Sequence, residues 1–175
     1  AETTDDFISA VTRVKKRHID ICTHVILGLP GETPSDYIGT AKFINGLPID
    51  GIKIHNLHVI KNTMLADDYH ARKFVPLSLE DYSFFAVRFL ELLRPEIVIH
   101  RLTGEAPESL TIAPEWSVNK LNVLNTIKHK QIELNSWQGK QLGFSLSTLD
   151  SKIIWSKKNF FPIFHTHTLA TNSNV

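Results

Sequence analysis

The chain has 175 residues, is 42% hydrophobic and 21% charged, and carries a formal net charge of +1, a composition typical of one globular domain. It contains no apolar run of the roughly 20 residues that cross a bilayer, and its start lacks the features of a signal peptide. We therefore expect a cytoplasmic protein without membrane contact. The single cysteine, Cys22, excludes an internal disulfide and a site built from several cysteines of this chain. Its apolar surroundings predict a buried residue.

The first third of the chain predicts a helix, a strand and a second helix. Residues 3–17 place apolar side chains on one helical face behind a capping threonine. The run "HIDICTHVILG", residues 18–28, is apolar and rich in β-branched residues, which is typical of a parallel strand covered on both faces. In the following helix Thr33 is the expected cap, Pro34 fits the first turn, and Asn45 and Gly46 favour the end.

The same unit then repeats. Residues 50–60, "DGIKIHNLHVI", predict a second strand, and 96–102, "EIVIHRL", a third. A short helix near 64–72 and a stronger one from Ser78 to Pro95 lie between them, and residues 117–134 predict a last helix. Alternating strands and helices indicate an α/β fold with parallel pairing.

About three parallel strands with covering helices would leave two open sheet edges, so we expect the second half of a larger, TIM-like barrel. Residues 1–140 form this unit in our interpretation. Residues 141–175 are expected to be a basic, partly disordered appendage, because seven lysines and only two acidic residues follow position 116.

The turn after the first strand, "GLPGET", is the first candidate site. Gly28 and Gly31 can adopt positive φ, Pro30 stiffens the bend, and the free amides of such a turn point toward the sheet rim. Glu32 either accepts hydrogen bonds from local amides or holds a cationic group of a ligand. The residues alone leave both interpretations open.

Ends of the other strands carry further polar side chains. His58 near the end of the second strand, or Lys61 in the loop after it, is placed to contact a ligand, although a lone histidine near a strand end is more often structural. Arg101 ends the third strand and either binds an anion or pairs with Glu105. His165 and His167 give two potential metal ligands without a third, so we assign no metal site to this chain.

Five segments in order, "CTHVILGLPGETPSDY", "IKIHNLHVIKNTML", "EIVIHRLTGEAP", "IAPEW" and "SWQGK", resemble the carboxyl-terminal half of a radical SAM protein. The resemblance covers about residues 1–140. It is to the YhcC/YtqA-type branch, which is related to the elongator catalytic subunit and to oxygen-independent coproporphyrinogen oxidase.

The resemblance implies a partial (β/α)6 barrel that binds a [4Fe-4S] cluster and S-adenosylmethionine. Such an enzyme cleaves S-adenosylmethionine to a 5′-deoxyadenosyl radical, which abstracts hydrogen from a substrate. It further implies a reductant such as flavodoxin or ferredoxin. By the resemblance, His58, Lys61 and Arg101 face the substrate. The cofactor-binding wall that it implies consists of Ile26, Gly28, Leu29, Pro30, Gly31 and Glu32.

This chain departs from the family pattern in its cysteines. The family ligates its cluster with three cysteines near the amino terminus, whereas this chain has only Cys22. We therefore expect a fragment that is inactive alone and needs the missing amino-terminal barrel half. The catalytic residues and the substrate stay unassigned, and tRNA is one candidate substrate. Two other readings stay open: a non-catalytic module that binds a ligand or partner, and an RNA-binding, tRNA-modifying protein.

Overall fold

The computed structural model describes residues 3–144. The predicted helix–strand order is present, and no helix within this range is long and apolar enough to cross a membrane. Short 3-10 turns occupy Glu108–Leu110, Glu115–Val118 and Lys140–Leu142. In chain order the elements are α1 (Thr4–Lys15), β1 (Cys22–Leu27), α2 (Pro34–Asn45), β2 (Gly51–Asn56), β3 (Val59–Ile60), α3 (Met64–His70), α4 (Leu79–Glu91), β4 (Val98–Arg101), β5 (Thr111–Ala113) and α5 (Lys120–Glu133).

The main sheet has three parallel strands in the order β1-β2-β4. Cys22 lies opposite Gly51 and Leu27 opposite Asn56, so β1 and β2 end together. The pairing of β2 with β4 shifts register between Ile52 and Lys53. This arrangement confirms the predicted α/β class with three parallel strands, and it gathers the loops that follow the strands at one end of the sheet.

Helices α1, α2 and α4 begin where the sequence predicts, whereas α5 begins at Lys120 and not at residue 117. Thr3 and Ser78 accept hydrogen bonds from the backbone N–H groups of Asp6 and Asp81, at 3.2 and 3.0 Å. At the start of α2 the Asp36 carboxylate accepts from both the backbone N–H and the hydroxyl of Thr33, each at 2.7 Å. These contacts satisfy donors that a helix start otherwise leaves unpaired.

Helices α2 and α4 cover one face of the sheet. Tyr82 and Phe89 of α4 are fully buried, and each such apolar side chain contributes on the order of 1.5–3 kcal/mol. The Tyr82 hydroxyl donates to the carbonyl of Leu102 at 2.9 Å, and burial raises the pKa of Tyr82 far above its usual range. The tyrosine thus fixes α4 to the chain that follows β4.

The predicted second strand, residues 50–60, is wrong beyond Asn56. The chain leaves the parallel sheet there, and the short strand β3 pairs antiparallel with β5, with Val59 opposite Ala113. Strands β3 and β5 have only two and three residues, and each is stabilised by pairing with the other, far along the chain. Local sequence does not indicate such a pairing.

Strand β1 is covered on one face only, so the prediction of a strand buried on both faces is wrong. Thr23 and Leu27 are buried, whereas Cys22, His24 and Ile26 on the alternate face are exposed. The predicted burial of Cys22 is therefore wrong as well. The strand's apolar composition reflects one helix-covered face and one face that no residue of the range 3–144 covers.

The described chain continues past the boundary predicted at residue 140. Gly139 N–H donates to the carbonyl of Leu90 at 3.1 Å, and the Trp137 indole N–H donates to the carbonyl of Phe144 at 2.7 Å. Residues 145–175 lie outside the described residues, as do His165 and His167. The proposed appendage stays a prediction.

Candidate functional site at the open face of the sheet

The face of the main sheet that the helices leave uncovered carries polar side chains. Residues alternate along each strand, so Lys53 and His55 of β2 point away from the buried Ile52 and Ile54. We call this surface the open face. Its side chains are those of Cys22, His24, Ile26, Lys53 and His55.

The turn after β1 forms the rim of the open face. Gly28 and Gly31 have φ values of +92° and +87°, which confirms their predicted conformation. The Glu32 N–H donates to the carbonyl of Leu29 at 3.1 Å across Pro30 and Gly31, the arrangement of a type II β-turn. Ile26 and Leu29 expose 43% and 42% of their surface beside it. The turn therefore presents apolar side chains and backbone groups at the carboxyl end of β1.

Glu32 makes the local hydrogen bond that the sequence left as one of two interpretations. Its Oε2 accepts from the backbone N–H of Leu29 at 2.9 Å. The Glu32 carboxylate also affects Tyr37. Burial is the largest cause of the raised pKa of Tyr37, and the negative charge of Glu32 is the second largest. The local bond organises the turn and leaves one carboxylate oxygen for a further donor.

A buried amide joins the ends of β2 and β4. Oδ1 of Asn56 accepts from the Gly104 N–H and from the Thr103 hydroxyl, both at 3.0 Å. Its Nδ2 lies 3.2 Å from the carbonyl of Leu57 and 3.3 Å from Nε2 of His58. Asn56 and Thr103 are 3% and 0% exposed. The loop after β4 is thereby fixed beside His58.

His55 lies among other cationic groups. Its ring centroid is 5.4 Å from that of His24, and its Nε2 is buried without a hydrogen-bond partner within the described chain. Burial lowers the pKa of His55 most, followed by the charges of His24 and Arg101; Lys53 and His58 also contribute. The ring is therefore neutral near pH 7.

Gly104 allows the two imidazoles to approach the loop. A Cβ atom at this position would lie 2.8 Å from Cε1 of His58 and 3.2 Å from Nδ1 of His55. Any other residue would push the rings away. Sequence reasoning missed Gly104, Asn56 and His55 as site residues; only the alternation along β2, which places His55 on the open face, gave a signal.

The other predicted site residues differ in their surroundings. Lys61 is exposed, and its ammonium donates to the carbonyl of Ser109 at 2.6 Å, which ties it to the loop before β5. Arg101 is half-buried at the end of β4, near enough to His55 to lower its pKa. Glu105 forms an ion pair with Lys120, a partner the sequence did not suggest.

The structure brings Arg101 and His58 to the neighbourhood of His55 and Gly104. Ile26 and the turn stand on the adjacent strand, because β1 pairs directly with β2. A groove of about 470 Å³ lies elsewhere, between α2 and α4, and is lined by Tyr37, Phe85 and Arg88 among others. It is on the opposite, helical side of the sheet.

Comparison with known proteins finds a family match over part of the chain. Residues 49–133 match the family model described as the Radical_SAM C-terminal domain. These residues therefore belong to the Radical_SAM C-terminal domain family. The matched range includes β2, β4 with Arg101 at its end, and the loops that carry His58 and Gly104.

Similar proteins extend the match toward the amino terminus. Over 134 residues the chain is 40% identical to the "Uncharacterized protein YtqA" of Bacillus subtilis, covering 77% of this chain and 42% of that protein. It is 38% identical over 123 residues to MJ0486 of Methanocaldococcus jannaschii, covering 70% and 38%. The match to YhcC of Escherichia coli K12 is 32% over 106 residues, covering 61% and 34%. The predicted resemblance to this branch is confirmed, and the chain spans less than half the length of each of these relatives.

A solved structure shares the fold. The Elp3 protein of Methanocaldococcus infernus, with an N-terminal deletion of residues 1–46, superposes with a TM-score of 0.70 at 18% identity. The superposition covers 79% of this chain and 32% of that chain. This likeness supports the α/β architecture.

The radical SAM relationship implies two cofactors, a [4Fe-4S] cluster and S-adenosylmethionine. The residues of this chain fit the second better than the first. A [4Fe-4S] cluster takes cysteine thiolates, and this chain has one cysteine. Cys22 begins β1, about 16 Å along the strand from its last residue, Leu27, at the end where the turn begins. Within residues 3–144 no group of three or more His, Cys, Asp or Glu residues is placed to hold a metal ion. The chain's own residues do not fit the cluster, whereas exposed Ile26 and Leu29 fit one apolar side of an adenine.

Proposed function

We propose that this chain forms the carboxyl-terminal side of a radical SAM active site within a partial (β/α)6 barrel. The open face is the observation that supports this proposal. Parallel sheets are ordinarily covered on both sides, but here β1 exposes Cys22, His24 and Ile26. An amino-terminal barrel half that supplies the cluster cysteines would pair with the sheet and enclose this surface. The 175 residues alone are then inactive.

In this proposal the turn after β1 binds the adenosine portion of S-adenosylmethionine. Ile26 and Leu29 offer apolar contact to the adenine ring, while the backbone at Gly28 and Gly31 approaches the ligand closely. Pro30 and Glu32 hold the turn in shape, the latter through its bond to Leu29. When bound together with the reduced cluster, S-adenosylmethionine supplies the 5′-deoxyadenosyl radical that abstracts hydrogen.

The substrate side of the pocket lies, in the same proposal, at the ends of β2 and β4. His58 and Arg101 are half-buried there, and Lys61 stands beyond His58 on the loop after β3. They orient the substrate by hydrogen bonds and charge, and the enclosing barrel half excludes water. In the same proposal a small reductant protein such as flavodoxin or ferredoxin is a partner, which would supply the electron that radical SAM chemistry needs.

Photolabelling tests the assignment of the adenosine wall. The protein used is a longer one, in which this chain follows an amino-terminal half that carries the cluster cysteines. It is irradiated with an 8-azido derivative of S-adenosylmethionine, digested and sequenced by mass spectrometry. The proposal predicts label on the peptide that contains residues 26–32, competed by unmodified S-adenosylmethionine. Competed label confined to other peptides would exclude this wall.

An RNA substrate, tRNA in particular, is the second candidate. It is favoured by the positive charge around His55, where Lys53 and His24 of the open face and Arg101 at the end of β4 lie near enough to lower the pKa of His55. Binding should then weaken steeply as salt rises, since cation–phosphate contacts release counterions. Removal of residues 141–175 should reduce it if the basic appendage contributes. Salt-independent binding, or none, would reject this candidate.

A non-catalytic module is the alternative from another class. It would retain the pocket at the strand ends for a ligand or partner without any radical chemistry. The two are separated by product formation: only the enzyme produces 5′-deoxyadenosine when the cysteine-bearing half is present.

A further inference from the structure

The hydrogen bonds of Asn56 determine where the proton of His58 lies. Oxygen and nitrogen of an amide look alike in shape, so their assignment depends on their partners. Here the Gly104 N–H is a donor and can only meet the oxygen, Oδ1, at 3.0 Å. The other end of the amide, which lies 3.2 Å from the Leu57 carbonyl, must therefore be the NH2 group.

That assignment leaves one arrangement for the neighbouring imidazole. The second N–H of Asn56 Nδ2 faces Nε2 of His58 at 3.3 Å, so Nε2 must accept and be unprotonated. Both ring nitrogens donate in a charged imidazole, which would place two donors against each other. The ring is thus neutral, with its proton on Nδ1.

We propose that Asn56 is a positioning residue that holds His58 as the neutral Nδ1–H tautomer at the pocket. The proposal rests on the substrate-facing role proposed for His58. The ring then presents one hydrogen-bond donor, Nδ1–H, near the space over Gly104 that His55 also borders. A substrate atom that meets His58 at Nδ1 must accept a hydrogen bond, as a carbonyl oxygen does, and a substrate N–H there is excluded.

Burial of the ring favours the same neutral state. Burial is the largest influence on His58 and lowers its pKa, while a hydrogen bond of the ring to the Asn56 backbone opposes it to a smaller extent. His55 is the titratable group that borders the same space as His58. Arg101, His24 and Lys53 act on His55 in turn, and none of these groups is acidic. Glu105, one residue beyond Gly104, is paired with Lys120.

Nitrogen NMR on the 175-residue chain labelled with 15N-histidine tests the proposal. The two ring nitrogens have distinct 15N shifts that report the tautomer, and the His58→Gln spectrum assigns the signal by its loss. We expect a neutral His58 with a protonated Nδ1 at pH 7. A protonated Nε2, or equal populations of both tautomers, would overturn the proposal.

Two variants add a comparison. Asn56→Asp keeps an oxygen for Gly104 and Thr103 but places a carboxylate against Nε2, so it should move the proton to Nε2 and raise the pKa of His58 by about one unit or more. Thr103→Val removes a different bond of the same amide and should leave the tautomer unchanged. An unaltered tautomer in a folded Asn56→Asp chain would contradict the positioning role.

The NMR spectrum tests the tautomer of His58, and a kinetic measurement tests its proposed role in binding substrate, so the two claims can fail independently. His58→Gln in the longer protein should raise the KM for substrate at least severalfold if the histidine faces substrate. An unchanged KM beside the expected tautomer would reject the substrate-facing role while the assignment of the tautomer stands. A changed KM together with a protonated Nε2 would reject the assignment of the tautomer, while the substrate-facing role of His58 stands.

Discussion

The carboxylate of Glu32 and the backbone N–H of Leu29 close the turn after β1 with a 2.9 Å hydrogen bond. The bond lies across a bend whose central residues are Pro30 and Gly31, the latter at φ +87°. Proline favours the first central position of a type II turn and glycine the second. A local set of residues thus fixes the shape of the rim that we assign to the adenosine.

The left-handed conformation of Gly31 gives the first prediction. Gly31→Ala should lower the free energy of unfolding by about 1–2 kcal/mol, because an L-residue is strained at positive φ. No atom lies within 4 Å of the added Cβ, so the effect is one of backbone alone. Urea unfolding measures it.

Gly39→Ala is the matched control for that substitution. Gly39 also has open space around its Cβ position, but it lies within α2. Alanine should therefore raise the free energy of unfolding there, by about 0.5–1 kcal/mol. If Gly31→Ala stabilised the chain as Gly39→Ala does, the described turn would be incorrect.

The second prediction concerns the apolar side of the turn. Ile26→Asp in the longer protein should weaken S-adenosylmethionine binding about tenfold or more, since a charge would replace the surface proposed for the adenine. Ile38→Asp is the control, because Ile38 is 42% exposed against 43% for Ile26 but lies on α2. Equilibrium binding of S-adenosylmethionine compares them, and equal affinities would remove Ile26 from the site.

The third prediction is a pH dependence of stability at Asp50. Its Oδ1 lies 2.5 Å from the Lys15 ammonium, and its Oδ2 accepts from the Ile21 N–H at 2.8 Å. The bond to Lys15, followed by that to Ile21, lowers the pKa of Asp50. A lowered folded-state pKa contributes stability above the unfolded value of about 3.9 and loses it as pH falls further.

Asp50→Asn should therefore lower the free energy of unfolding at pH 7, by about 0.5–1 kcal/mol for a pair this exposed. The difference from the native chain should shrink as the pH falls from 4 toward 2. Asp20→Asn removes the same charge from an exposed neighbour and serves as the control. A difference for Asp50→Asn that stays constant with pH would show that the ion pair does not carry the effect.

Local sequence predicted the parts of the fold that local contacts determine. Ser78 caps α4 and the turn glycines take positive φ because each effect acts within three or four residues. Exposed Cys22 and the departure of the chain after Asn56 were missed. Both depend on what covers a strand, which residues far along the chain decide.

The candidate site was predictable in part for the same reason. The proposed rim lies in one continuous turn, so the motif "GLPGET" is enough to indicate it. The contact of Asn56 with Thr103 and Gly104 joins positions 47 and 48 residues apart. No spacing rule connects them, and a single sequence gives no pairing between such distant positions.

Formation of 5′-deoxyadenosine under anaerobic, reducing conditions tests the central claim most directly. Two samples are compared after iron–sulfur reconstitution: the 175-residue chain, and the longer protein that carries the cluster cysteines. The account predicts product from the longer protein and none from the chain alone above a cluster-free control. Product from the isolated chain, or none from a longer protein with an intact cluster, would contradict it.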